Sequence, residues 1–160
     1  MIEKFKILAK YIKDISSETP DIETYVYVKE YIAKYKLNID IKSKALKNKM
    51  IEIDIILKFE DKETSKKKSY FEIVYSVVAK IDEEVTEKKD LEKIILCDVP
   101  TKVYPDLEGT FLNLIHNSGH PSMKLEKKID FNKFKKKEPK KNNFIDGEFE
   151  DIEDNDDRKI

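Results

Sequence analysis

Hydrophobic and polar positions alternate with period two through the first half of the chain, and that period marks half-buried strands. In EKFKILAKYIK (3–13) Phe5, Ile7, Ala9 and Tyr11 fall on one side. In KLNIDIKS (36–43) Leu37, Ile39 and Ile41 alternate with Asn38, Asp40 and Lys42. In MIEIDIILKFE (50–60) Ile51, Ile53, Ile55, Leu57 and Phe59 oppose Glu52, Asp54 and Lys58. In SYFEIVYSVVAKI (69–81) Phe71, Ile73, Tyr75, Val77 and Ala79 oppose Tyr70, Glu72, Val74, Ser76 and Val78. The polar links ALKNK (45–49) and DKETSKKKS (61–69) suit hairpin loops, so the last three strands form an antiparallel meander. The first strand joins them through DIETYVYVKEYIAKY (21–35). Its tyrosines and β-branched residues favour extended backbone, while Tyr27 and Tyr31 sit at helical spacing. The expectation is a crossover loop with some extended character.

The second half changes period. Leu91, Ile94 and Ile95 lie at helical spacing, and Pro100 is expected to end that helix. A second helix opens at Pro105 and Asp106, carries Leu107, Phe111, Leu114 and Ile115 on its apolar face, and stops at Gly119. A short last helix begins near Asp130, with Phe131 and Phe134 one turn apart. Four strands followed by helices predict an α+β domain: a four-stranded antiparallel sheet with helices on one face. The expected domain spans 1–137, and 138–160 reads as a charged, disordered tail, densely acidic in DGEFEDIEDNDD. Two helices cannot cover both faces of such a sheet. Ile56, Val74 and Val78 add apolar area to the second face, which predicts a homo-oligomer.

Composition narrows the chemistry. Charged residues make up 41% and hydrophobic residues 39%, polar for a globular chain but too apolar for general disorder. The net charge of −1 supplies no general attraction to nucleic acid or an anionic membrane. Arg158 is the only arginine, which argues against bidentate phosphate or guanine recognition. The lysine runs at 66–68 and 135–137 read as a solvated loop and tail rather than a nucleic-acid contact. One cysteine, Cys97, excludes an internal disulfide and suits a reducing compartment; it reads as a core residue. No apolar run approaches signal-peptide or membrane-span length, so the expectation is a cytoplasmic protein without direct membrane insertion. His116 and His120 share the i, i+4 spacing of a helical metal pair, but Gly119 and Pro121 end the helix there, and both read as helix-end polar residues. Three glycines in the chain make a phosphate loop improbable, and no arrangement of residues suggests an enzyme, a cofactor or a metal site.

One polar stretch resists that bland reading. YIKDISSETP (11–20) resembles the first strand and turn of the SecB family of bacterial protein-export chaperones, with Tyr11, Lys13, Asp14, Ile15, Ser16, Glu18 and Pro20 in register. PTKVYPD (100–106) is similar to the family's approach to its long helix, through Pro100, Val103, Tyr104 and Pro105. IDF (129–131) and the fourth-strand Glu72 and Tyr75 fit as well. The sequence departs from the family at Ser76–Val78, where glycine is usual, at Asp106–Glu108 and at Lys128. The resemblance, over residues 5–137, implies a homotetramer built as a dimer of dimers, without catalysis. It implies binding of non-native precursors in apolar grooves and delivery to the motor SecA, whose small zinc-bound basic tail domain docks on an acidic sheet patch. By matching motif that patch is Asp14, Glu18 and Glu72 with Tyr70. The expected client groove is Val103, Tyr104, Leu107 and Phe111, with Tyr27 and Tyr31 from the crossover; core packing is the alternative for each. A SecB-like chaperone dedicated to another client, such as a toxin-antitoxin component, is the alternative function.

Overall fold

The computed structural model describes residues 3–61, 68–125 and 129–136. The anticipated tail, Lys66, Lys67 and Lys137 of the lysine runs, and most of the 61–69 loop lie outside the described residues. Four strands form one sheet: β1 (Phe5–Glu18), β2 (Lys36–Ala45), β3 (Met50–Glu60) and β4 (Tyr70–Ile81). Their order is β1-β4-β3-β2 and every neighbour is antiparallel. The meander and the mixed α+β architecture follow the alternation of the sequence. The tight β2–β3 turn places Asn48 and Lys49 at φ 61° and 58°. Leu46 N–H donates to Met50 O at 2.8 Å across it, and Ile81 N–H reaches Lys49 O at 2.9 Å, tying the turn to the end of β4.

The crossover is helical, contrary to the extended expectation. α1 spans Ile22–Tyr31, and a 3₁₀ turn continues it over Ile32–Lys34. Asp21 caps it by accepting from Thr24 N–H at 2.8 Å; Glu23 in the first turn and Lys29 in the last suit the helix dipole. Thr24 and Val28, one turn apart, are buried against the body. That packing overrides the β preference of the tyrosines and valines, which is a weak preference in any case.

The second half forms one helical path rather than two helices broken at Pro100. α2 (Lys88–Lys93) leads into a π turn (Ile94–Asp98) and then α3 (Val99–Asn117). The amide of Val99 donates to Ile94 O, five residues back, where an ordinary α turn would reach four. This wider turn falls immediately before Pro100, whose ring crowds the carbonyl four residues earlier in a regular helix. Pro105 lies inside α3 on its exposed side. A final 3₁₀ segment, Phe131–Lys136, takes the place expected for a last helix, with the Phe131 and Phe134 rings tilted against each other at 5.2 Å.

The core sits between one face of β3 and β4 and the stripe Val99, Val103, Leu107, Phe111 and Ile115 of α3. Each member of the stripe is four residues from the next, so all five point to the sheet. Ile51, Ile53, Ile55, Leu57 and Phe59 meet them from β3, and Phe71, Ile73, Tyr75, Val77 and Ala79 from β4.

β1 departs from simple alternation. Register shifts between Ile7 and Ala9 and between Ile12 and Asp14 leave Leu8 and Lys13 as bulges. One inserted residue reverses the facing of everything after it. Phe5 and Ile7 face the helices, but Ala9 and Tyr11 lie on the opposite face, across from Val78 and Ser76. The grouping of Phe5, Ile7, Ala9 and Tyr11 on one side is therefore wrong. Lys10 instead points to the helix side and bonds Asp106 of α3. Lys13 emerges on the open face and bridges Glu52 at 3.0 Å and Asp54 at 2.9 Å.

Leu107→Ala is expected to cost about 2–5 kcal/mol in urea denaturation, because it empties a fully buried site. Ile12→Ser, at an edge position 44% exposed, should change stability by roughly 0.5 kcal/mol or less.

Candidate functional site

Three groups of residues are candidates, and the sheet, the crossover and α3 each hold one. On the open face of the sheet Glu18 lies across from Tyr70, Ser16 from Glu72, and Asp14 from Val74. Cross-strand partners project to the same side. The register therefore gathers Asp14, Glu18, Tyr70 and Glu72 within four residues at one end of the β1–β4 ladder. Asp14 and Glu18 are exposed, Glu72 is half-buried, and Tyr70 is 40% exposed. Thr19 and Ser69 join the strands beyond this end through a hydroxyl contact of 2.7 Å. Lys58 is the β3 partner of Glu72.

Next to the acidic end lies a compact polar cluster centred on Lys13. Tyr11 donates to Glu52 at 3.2 Å and Ser76, wholly buried on this face, donates to it at 3.4 Å. Burial alone would raise the Glu52 carboxyl, but the hydrogen bond and charge of Lys13, with Tyr11 and Lys44, hold it below the usual carboxylate value. Burial likewise works against the Lys13 ammonium, and the two carboxylates outweigh it and raise its pKa. The cluster crosses from β1 over β4 to β3, so it braces the edge strand and neutralises the only β1 lysine pointed at this part of the face.

The crossover offers apolar surface. Ile22 and Val26, one turn apart on α1, are 64% and 56% exposed. With Glu23 and Tyr27 they line a shallow, open depression of about 460 Å³. The Tyr27 and Tyr31 rings lie 4.5 Å apart, and Lys34 sits 5.4 Å from the centre of the Tyr31 ring. The two anticipated crossover tyrosines thus come together on one helix, and Ile22 and Val26 extend them.

α3 is different. Val103, Leu107 and Phe111 are at most 1% exposed, and Phe111 meets the Phe59 ring edge-on at 5.2 Å. They are core residues and present no surface to a client in this protomer; the core alternative holds for all three. The reason is the four-residue stripe, which turns every one of them to the sheet. Tyr104 stands one position off that stripe and is half-buried against Phe131, 5.6 Å away. Burial, with Glu108 nearby, pushes its phenol up to about 12, and the hydroxyl has no hydrogen-bond partner among the described residues.

The larger apolar exposure instead lies along β1, at Leu8, Tyr11, Ile12 and Ile15, each between 43% and 48% exposed. β1 is an edge strand, and α3 meets it near Phe5 and Lys10 through Lys102 and Asp106. Ile12 and Ile15 face the helix side beyond that contact. Ile56, Val74 and Val78, expected as the exposed apolar patch, are only partly exposed. In the sequence, ILA (7–9) and IKDI (12–15) break the alternation there, but only the pairing with β4 shows that Leu8 and Lys13 are bulges.

Of the remaining chemistry-bearing residues, His116 and Cys97 have polar partners. His116 Nε2 lies 2.9 Å from Met123 O, and the His120 ring is buried against Tyr25 and Phe71. Cys97 is buried with Sγ 3.1 Å from Asn132 Oδ1. Among the described residues no three potential ligands cluster for a metal ion, and no helix is long and apolar enough to cross a membrane.

A helix-covered face, a carboxylate-bearing open face and exposed apolar rims are surfaces of the kind that meet partners. Residues 2–142 match the family of the preprotein translocase subunit SecB. A protein-export protein SecB of Pelagibacter ubique is 59% identical over 131 residues, covering 82% of this chain and 94% of the relative. The chain belongs to the SecB family. A SecB-like chaperone of Mycobacterium tuberculosis, solved in complex with an antitoxin peptide, shares the fold with a TM-score of 0.57 at 11% identity, over 77% of this chain and 90% of the other.

The sign of the Glu52 shift gives a pH prediction. A carboxyl held below its unfolded value stabilises the fold above that unfolded value, and the contribution fades as pH falls through the lower folded value. Lys13→Met is therefore expected to cost about 0.5–1 kcal/mol at pH 7, after allowance for solvent screening, and less at pH 3. Urea midpoints of the two proteins at both pH values measure it.

Proposed function

We propose that the protein is a cytoplasmic homotetrameric export chaperone, a dimer of dimers, that keeps non-native precursors unfolded and delivers them to SecA. The observation that carries the reading is the pairing of exposed apolar rims with family membership: β1 and α1 together present six large apolar side chains more than 40% exposed. Apolar burial is non-directional and worth about 25 cal/mol per Å². Such surfaces therefore hold many unrelated segments, provided the segments are unfolded. A client that touches several subunits gains avidity through tethering. In this reading Tyr27 and Tyr31, extended by Ile22 and Val26, contact clients, Tyr104 adds a half-buried flank, and part of the β1 rim is covered by neighbouring subunits.

Asp14, Glu18, Tyr70 and Glu72 serve as the docking patch for the basic zinc-bound domain of SecA. Their common face and the neutralisation of Lys13 support this assignment. The patch and the α1 surface lie on different elements, so a client and SecA can be held together before transfer. The relative of 59% identity, named for protein export, favours this function over a chaperone reserved for an antitoxin.

Reversing charge at Asp14, Glu18 and Glu72 together should lower SecA affinity at least tenfold while leaving client affinity within about twofold, by titration calorimetry. Unchanged SecA binding would remove the patch. In the same preparations, light scattering is expected to give four chain masses; a monomer would contradict the assembly. Clients recovered from cells should be signal-bearing precursors, and a single dominant small protein would favour the dedicated-chaperone alternative.

A further inference from the structure

One buried titratable group is unused by the function described above. His120 is 5% exposed, and its Nε2 is sealed from solvent without a hydrogen-bond partner among the described residues. Its ring stacks on Tyr25 of α1 at 5.5 Å with planes 29° apart and meets Phe71 of β4 edge-on at 6.4 Å. Tyr25 also donates its hydroxyl to Gly119 O at 2.8 Å. Gly119 has φ 103°, and a Cβ there would run into the Tyr25 ring. The turn after α3 is thus built around Tyr25, and Tyr25 with the buried Thr24 and Val28 is how α1 holds the body.

We infer that His120 is a positioning residue that holds α1 against the body only while its imidazole is neutral. The α1 apolar surface is therefore ordered or released by protonation. A neutral imidazole fits between two aromatic side chains with little loss of solvation, whereas an imidazolium needs acceptors for both N–H groups. Tyr25 and Phe71 offer ring faces and edges, not acceptors. Among charged groups on the packed elements, Lys29 of α1 acts on the ring and further opposes a second positive charge. β4 meets it with Phe71, and the end of α3 carries His116, engaged with Met123 O. Burial first, and Lys29 second, depress the His120 pKa below its ordinary value.

The sign follows from linkage. The released state has the ordinary histidine pKa of about 6.5 and the docked state a lower one. Docking is fully favourable above about 6.5. It weakens by up to about tenfold per pH unit below that, and levels off beneath the docked value. The consequence for clients rests on the proposed use of α1 as a client surface: a released segment no longer presents Ile22, Val26, Tyr27 and Tyr31 on one ordered helix and must pay an ordering cost on binding.

Hydrogen exchange of the full chain between pH 5 and 7.5, corrected for intrinsic rates, tests the clamp. Protection of the α1 amides should fall by up to tenfold per unit below about pH 6.5, while β3 and β4 stay protected. His120→Phe keeps an aromatic ring and removes the proton, and its α1 protection should be flat over this range. Lys29→Met leaves the stack intact and should shrink the loss. A flat wild-type profile, an equal slope in His120→Phe, or a loss shared equally by β3 and β4 would overturn the proposal; if His120→Phe does not fold, an unaltered total loss in Lys29→Met would do so. Affinity for reduced, carboxymethylated α-lactalbumin, measured over the same pH range, should weaken with α1 release. If α1 is released and that affinity is constant, the clamp stands and the client role of α1 fails.

Discussion

A four-stranded sheet has two faces, and this chain supplies one long helix to cover one of them. The stripe from Val99 to Ile115 repeats every four residues and seals the β3–β4 face so completely that Leu107, Phe111 and Ile115 have no exposure. All other features of the protomer follow from where that cover ends. β3 and β4 lie under it. β1, at the edge, receives only its N-terminal part, through Lys102 near Phe5 and Asp106 at Lys10. The uncovered remainder of β1 keeps its apolar side chains in contact with water. The constraint that makes the core also makes the exposed apolar rim.

The two bulges in β1 decide which side chains that rim exposes. Without them ordinary alternation from Phe5 would put Lys10 on the open side and Lys13 on the helix side. With them Lys10 reaches the helix side and Lys13 the open side, so the edge strand is held from both faces by ion pairs. Individually such exposed pairs contribute little. Their positional effect is larger: Lys13 is consumed by Glu52 and Asp54 and leaves Asp14, Glu18 and Glu72 as an acidic end of the ladder. Exposed edges invite uncontrolled pairing, and bulges with charged flanks are a recognised way to restrict which partner can approach.

The crossover shows a different balance. α1 is joined to the body by Thr24, Tyr25 and Val28 and carries apolar residues outward as well as inward. A short helix anchored by so few side chains belongs to the less stable part of a structure, the part from which moving elements are drawn. Its outward residues stay exposed because its inward residues suffice to hold it. The His120 stack lies at this balance point.

Much of the fold was legible from period alone. Strands over 36–43, 50–60 and 69–81 and their meander follow from side-chain alternation, and the inward Leu107, Phe111 and Ile115 from the helical period, both local properties of the backbone. YIKDISSETP and PTKVYPD located the family, and the register of β1 with β4 depends on where those residues fall. Tertiary structure decided the rest. It folded 22–31 into a helix because burying Thr24 and Val28 outweighs weak local preference, and it carried the helical path through Pro100 by widening one turn. It buried Val103, Leu107 and Phe111, which an apolar sequence motif cannot distinguish from a groove, since core and groove ask for the same side chains. The bulges at Leu8 and Lys13 are the deepest case. A bulge is a relation between two strands, and neither strand contains it alone; only the pairing determines which residues of β1 face water, helix or partner.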